Sequence, residues 1–426
     1  MKEKNQRRKG FIIGGCDSDK MRIAYVMPHS YEYFYPKEMS EFKSPNELDY
    51  KILCNVNDYK DRFCKATQLA GMEPTLFYFS SCAKKVTEFT HKFGHKMKKI
   101  PVNLKRGGYG KYGWEYSYSL LKELSKDDFD LIFVFTYVLN ILLPLDMYDI
   151  LALYCKKNKY PLITRHGGGS AKLTINGHPV IGRQWIKKLT LNMADKIIVP
   201  SQTEFSVLKD DLKIKEDKLV LLKNPVDFNN FHEIPKEIAA ETLDKDPTKK
   251  YILFVGRLER GKGIQHVINI LPKLMNIYPD IVLLIVGYGP FENDLRRLLT
   301  DKNLQDYISF EGLIFHDSMK FYYNIADVFC LPSYGEGTPN VIQEAVVCNT
   351  PSVGTNVGGI PDILSDGVGI LVPPKDEDEL FDGMKRILDG NFEINQEKRK
   401  RLLSEWSMEN VGQRLKEIYK EVLDKY

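Results

Sequence analysis

The sequence has no Cys-x-x-Cys pair, no long apolar run and no large excess of either charge. Its seven cysteines, at 16, 54, 64, 82, 155, 330 and 348, stand singly, which argues for reduced thiols in a reducing compartment and against a zinc site. After the basic Lys2–Lys9 stretch, the apolar part Phe11–Ile13 is too short for a secretory signal. The longest apolar segment, Leu131 to Leu145, is broken by Asn140 and Pro144 and falls short of the ~20 residues that a spanning helix needs. With 61 basic and 57 acidic residues, the formal net charge of +4 leaves no footprint of a nucleic-acid binder. The motifs G-x-x-x-x-G-K-[ST] and G-x-G-x-x-G are missing, as is an Asp-x-Asp between apolar strands. A P-loop nucleotidase and a dehydrogenase are therefore not indicated, and nothing calls for a metal. The expectation is a cytoplasmic protein, peripheral at most to the cytoplasmic face of a membrane.

What is present is enough apolar material for two cores: 43% hydrophobic residues over a chain of 426. Residues 1–20, with Lys2, Lys4, Arg7, Arg8 and Lys9, read as a disordered basic tail. From Met21 strand and helix patterns alternate. Strands are expected at Met21–Pro28, Thr75–Phe79, Asp130–Phe135, Tyr160 to His166, Lys196–Pro200 and Lys218–Leu222. Helices are expected near Asp58–Leu69, before Leu124, at Asp149–Lys157 and at Ile186–Ala194. His29–Asp49 reads as a long aromatic loop and Lys105–Gly113 as a flexible glycine loop. Such alternation predicts a doubly wound parallel sheet for 21–228, with His166 at the end of a strand where open sheets bind ligands. The polar stretch 229–250 reads as a linker. A second open α/β unit, 251–404, follows, and 405–426 closes the chain with a helix whose Val411, Leu415, Ile418, Tyr419 and Val422 recur at helical spacing.

In the second unit nearly every strand ends in glycine. Tyr251–Val255 leads to Gly256-Arg-Leu-Glu-Arg-Gly-Lys-Gly263, Ile281–Val286 to Gly287-Tyr-Gly-Pro290, and Ala326–Pro332 to Ser333-Tyr-Gly-Glu-Gly-Thr-Pro-Asn-Val-Ile-Gln-Glu344. Thr338 is expected to cap the next helix, with Pro339 at its first position. If these strands lie side by side, Arg257, Lys262, the Gly287–Gly289 loop, Glu336 and Glu344 converge. Two cations, glycine loops and a helix N-terminus suit a diphosphate, and a carboxylate deeper in the helix suits the vicinal diol of a ribose. The competing reading pairs Arg257 and Lys262 with Glu259 and its neighbours on a solvated loop.

Glu336 and Glu344 form an E-x7-E pair that resembles the signature of retaining glycosyltransferases of family 4, which have the GT-B fold of two Rossmann-like domains facing across a cleft. Gly256-Arg257, Lys262-Gly263, Gly287-x-Gly289-Pro290, Gly312, Val357–Asp362, Asn224–Asp227 and Glu405-Trp406-Ser407 fit that family in order and spacing. The resemblance implies a donor side at 251–404, an acceptor side at 21–228, and a final helix crossing back. It implies that Arg257 and Lys262 hold the diphosphate of a UDP- or GDP-sugar and that Glu344 binds the ribose. Glu336 would lie against the sugar, and Gly337, Thr338, Asn340, Val341 and Ile342 would offer backbone contacts. Gly287 and Gly289 would lie near the phosphates, Leu313 near the base, and His166 would reach the sugar from the other domain. The catalytic set so implied is Glu336, His166, Arg257 and Lys262, without a metal or cofactor. One departure concerns the acceptor. The family's Gly-Gly loop after the first strand is replaced by the aromatic Pro28–Pro36. Expected acceptors are a glycan, glycolipid or lipid-linked intermediate. The alternatives are a cytosolic small-molecule glycosyltransferase and a non-catalytic glycan- or nucleotide-binding protein.

Overall fold

The computed structural model describes residues 21–30, 59–80, 83–106, 114–136, 145–167, 174–175, 178–179 and 181–426. The expected basic tail, most of the aromatic loop at 29–49 and the glycines at 107–113 lie outside these residues. In chain order the first half contains strands β1 (Arg22–Ser30), β2 (Glu73–Ser80), β3 (Thr87–Thr90), β4 (Lys96–Pro101), β5 (Leu104–Arg106), β6 (Trp114–Tyr116), β7 (Leu131–Thr136), β8 (Leu162–His166), β9 (Thr174–Ile175), β10 (His178–Pro179), β11 (Lys196–Val199) and β12 (Leu219–Leu221). Eight of them form one sheet, ordered β12-β11-β8-β7-β1-β2-β4-β3, in which only β3 runs antiparallel to its neighbour. The second half contributes β13 (Lys250–Val255), β14 (Ile281–Val286), β15 (Ile308–Gly312), β16 (Val328–Leu331), β17 (Ser352–Thr355) and β18 (Ile370–Val372), all parallel, in the order β15-β14-β13-β16-β17-β18. Both sheets are doubly wound and Rossmann-like. Their central strands are continuous apolar runs because helices cover both faces.

Several boundaries differ from expectation. The helix expected at 186–194 runs Ile181–Leu191. The helix after Pro339 starts at Asn340; Pro339 takes the capping position with extended backbone, and Thr338 does not cap. The helix Gln396–Trp406 was not expected, because it is dominated by Lys, Arg and Glu and buries only Arg399, Leu402 and Trp406. Strand β4 was not expected either. Its Lys98 and Lys99 are buried, and Lys98 Nζ is neutralised by Asp127 (2.7 Å), Glu123 (3.4 Å) and Glu88 (3.6 Å). Residues 229–250 are packed: the helix Lys236–Thr242 places Ala239 and Ala240, together with Phe231, in the core of the second half.

The Met408–Leu423 helix lies against the first sheet. Met408, Val411, Leu415, Ile418, Tyr419 and Val422 share a core with Ile23, Tyr25, Phe63 and Phe133. Inside it the Tyr25 hydroxyl hydrogen-bonds those of Tyr419 and Thr67, each at 2.6 Å. Val226 N donates to Trp406 O (2.9 Å), so the chain's outward and return crossings run side by side.

Candidate donor-binding site between the two halves

The loops after β13, β14 and β16 meet at the C-terminal edge of the second sheet because those strands are sheet neighbours. Glycine makes the meeting possible. Gly287 has φ +130, and a Cβ there would lie 1.9 Å from the carbonyl oxygen of Gly256. The β13 loop is tied to the β16 loop by Tyr334 N donating to Gly261 O (2.8 Å). Lys262 Nζ then donates to Glu336 Oε1 at 2.6 Å, and Ser333 Oγ donates to the same oxygen at 2.7 Å. Arg257, half exposed, pairs with Glu259 at 3.0 Å. Of the two cations, Arg257 thus takes the partner that the solvated-loop reading assigned it, while Lys262 faces the E-x7-E carboxylate. The β17 loop closes the rim, with Gly359 N donating to Gly337 O (2.7 Å). Thr338 Oγ1 is enclosed there and has no hydrogen-bond partner among the described residues. None of these edge residues belongs to a group with metal-ligand spacing.

Glu344 lies deeper than its sequence position suggests. It is buried, and its carboxylate accepts from Arg62 Nη2 (2.7 Å) and from the Tyr323 hydroxyl (3.0 Å), with His316 Nε2 at 3.8 Å. Burial, with the Glu344 charge beside it, pushes the Tyr323 hydroxyl well above the ordinary phenol range. Arg62 comes from the Tyr59–Leu69 helix of the first half and also packs over Phe231. Nothing in the sequence links Arg62 to Glu344, 282 positions away. Asn340 and Gln343 of the same helix are held from the first half by Asn224: its Nδ2 donates to Asn340 Oδ1 (2.6 Å), and its carbonyl accepts from Gln343 Nε2 (3.3 Å). A third contact joins Gln202 N, Thr203 Oγ1 and Lys223 Nζ to Gly358 and Asp362.

His166 ends β8, on the first half. Its ring is fully buried, 3.4 Å from Glu204, and neither nitrogen has a hydrogen-bond partner among the described residues. Burial, reinforced by Arg165 and Lys187, holds its pKa down to about 3, so the ring is neutral. Leu313 is half-buried just past Gly312, whose carbonyl accepts from Gly287 N (2.7 Å). The structure therefore brings Arg257, Lys262, Gly287, Gly289, Glu336 and Gly337 to one edge. Glu344 and Ile342 sit beneath it in contact with buried groups, and His166 is enclosed in the opposite half. Sequence reasoning missed Ser333, Tyr323, His316 and Arg62.

Residues 59–230 match the family model "Glycosyltransferase Family 4", and residues 235–404 match "Glycosyl transferases group 1". An uncharacterised glycosyltransferase of Methanocaldococcus jannaschii is 32% identical over 213 residues, 48% of this chain and 54% of that protein. The GDP-mannose-dependent monoacylated alpha-(1-6)-phosphatidylinositol monomannoside mannosyltransferase of Corynebacterium glutamicum is 30% identical over 205 residues, 44% of this chain and 53% of that protein. The matched stretch thus spans about half the length of these relatives. Among solved structures, sucrose-phosphate synthase from Thermosynechococcus elongatus aligns over 95% of this chain and 100% of its own, with a TM-score of 0.70 at 19% identity. Anabaena HepE in complex with UDP and glucose aligns over 94% and 99%, with a TM-score of 0.67 at 16% identity. Two Rossmann-like halves, an E-x7-E loop at their junction and two consecutive family models agree: this chain belongs to the family 4, group 1 glycosyltransferases of the GT-B fold.

Proposed function

We propose that the protein transfers a hexosyl group, with retention, from a UDP- or GDP-sugar to a glycan, glycolipid or lipid-linked acceptor. The donor side would be 251–404 and the acceptor side 21–228, joined through 229–250, with 405–426 crossing back to the first half. The observation that carries this reading is the Lys262–Glu336 ion pair, set at the meeting of three glycine-ended strand loops. Breaking a glycosyl–phosphate bond puts negative charge on the departing diphosphate and positive charge on the sugar. Lys262, with Arg257 swung from Glu259, meets the first charge, and Glu336 stands where the second develops. Backbone N–H groups of Gly337 and the start of the Asn340–Val347 helix add fixed dipoles toward the phosphates. Gly287 and Gly289 allow close backbone approach, Val341 and Ile342 continue the helix face, and Leu313 flanks the base.

Glu344 takes the ribose hydroxyls on the carboxylate lone pairs that Arg62 and Tyr323 leave open. His166, neutral, supports the sugar side of the cleft from the first half. The contacts that join the halves keep water from the donor. The relatives guide the choice of donor, because the C. glutamicum protein is GDP-mannose-dependent and HepE was solved with UDP-glucose. A lipid-linked acceptor fits a peripheral place at a membrane; no helix among the described residues is long and apolar enough to cross one.

Thermal stabilisation by a panel of UDP- and GDP-sugars tests the donor assignment. One donor should raise the melting temperature of the wild type, and Lys262→Ala should abolish the rise. No response to any donor would sink the reading, and an anomerically inverted product would sink the retaining mechanism.

A further inference from the structure

Three buried side chains of the first half have no part in donor binding. Asp61 lies on the Tyr59–Leu69 helix, while His91 and His95 flank the turn between β3 and β4. That turn closes through Gly94 at φ +88 and a hydrogen bond from His91 N to His95 O (2.9 Å), which brings both rings to one side, stacked with centroids 4.5 Å apart. Asp61 Oδ1 is 3.4 Å from His95 Nε2 and 3.9 Å from His91 Nε2, and all three side chains are fully enclosed. One ligand atom from each lies within 4.8 Å of the others.

His95 is the telling group, since both its ring nitrogens are buried and neither has a hydrogen-bond partner among the described residues. An enclosed imidazole in that state is costly unless something takes its lone pair. The spacing points the same way. A carboxylate and imidazoles 3.4 and 3.9 Å apart are too far for good hydrogen bonds, but donors about 2.1 Å from a tetrahedral ion stand roughly 3.4 Å from one another.

We propose that Asp61, His91 and His95 form a structural site for a first-row divalent cation, zinc foremost, with water in the fourth position. Two imidazoles and one carboxylate are a borderline donor set that suits zinc. His91 Nδ1 accepts from Phe93 N at 3.1 Å, so in the metal-free ring the hydrogen is on Nε2. Coordination through Nε2 moves that hydrogen to Nδ1 and gives up the Phe93 bond, a small loss beside zinc coordination. The carboxylate of Asp61 offsets part of the ion's charge. The sequence hides the site because Asp61 is thirty positions before His91. An ion here clamps the helix to the hairpin and so fixes where Arg62, the next residue, stands.

Tag-free protein stripped with a chelator and dialysed is titrated with zinc sulfate. The ion should bind at about one equivalent per chain and raise the melting temperature by several degrees. His95→Gln should weaken binding by more than about tenfold, the least expected from losing even an outer partner of a ligand. Failure of the wild type to retain zinc or gain stability would overturn the proposal, as would equal binding by His95→Gln. Should that variant not fold, cobalt(II) titration of the stripped wild type decides. The intense visible bands of a tetrahedral site support the proposal, and the pale spectrum of the hexahydrated ion overturns it.

Discussion

Arg62 Nη2 stands 2.7 Å from Glu344 Oε1, a buried ion pair that joins the two halves of the molecule. Each side chain is almost wholly withdrawn from water, so each depends on the other for its charge to be tolerated. Replacing Arg62 with Leu leaves a buried carboxylate with only the Tyr323 hydroxyl in hydrogen-bond reach and His316 Nε2 at 3.8 Å. We expect that change to cost about 3–5 kcal/mol, and the double variant Arg62→Leu/Glu344→Gln to recover part of it. Melting temperatures of the four proteins in the cycle measure the coupling. Additive losses would refute the pair's energetic role.

Glu336 occupies the ammonium group that the diphosphate is expected to use. Glu336→Gln releases Lys262, so nucleoside diphosphate should bind as tightly as to the wild type or up to about tenfold more tightly, while turnover of the sugar donor falls. Calorimetric titration with UDP and GDP reads the first effect, and release of nucleotide from the sugar donor reads the second. Weaker nucleotide binding in this variant would place Glu336 among the phosphate-supporting groups instead.

The loop junction offers a test that separates backbone packing from chemistry. Gly287→Ala forces a Cβ into the carbonyl of Gly256 and a φ that L-residues avoid, and should cost more than about 2 kcal/mol and abolish nucleotide binding. Gly261→Ala, two positions from Glu259 in the neighbouring loop, meets no atom within 4 Å and should fold normally. Similar melting temperatures for the two variants would contradict the described packing.

His166 makes stability depend on pH. Its folded pKa, about 3, lies below the ordinary value of 6.5 because burial disfavours the imidazolium. Between those values the unfolded chain takes up a proton that the folded chain refuses. Stability therefore falls as pH drops from 6.5 toward 3, by about 1.4 kcal/mol per pH unit at most for this residue. Unfolding midpoints of the wild type and His166→Asn from pH 7 to pH 4 isolate the contribution. The variant should show the shallower decline, and parallel profiles would contradict it.

The parts of this molecule that are readable from sequence are those where one physical rule acts alone. Ile281–Val286 is a strand by continuous apolarity, and the structure places it at those residues. The glycine-ended loops and the E-x7-E segment follow in the same way from strand, turn and helix signals. Reading fails where two distant segments share one requirement. Strand β4 carries Lys98 and Lys99, which resemble solvent residues until Glu123 and Asp127 of a later segment neutralise Lys98. Glu344 looks like an unpaired carboxylate until Arg62 is placed beside it. Thr338 has the chemistry of a cap, but Pro339 takes the capping position and Thr338 makes no capping bond.

The return of the Met408–Leu423 helix to Tyr25 and Phe63 also bears on synthesis. Translation delivers the first sheet hundreds of residues before the helix that covers one of its faces. Until Leu415, Ile418, Tyr419 and Val422 leave the ribosome, that face has lost its cover and the Tyr25 hydroxyl its Tyr419 partner. The second half, whose core among the described residues draws only on residues from Val226 to Trp406, can close before the first half can, reversing the usual order in which domains mature along a nascent chain.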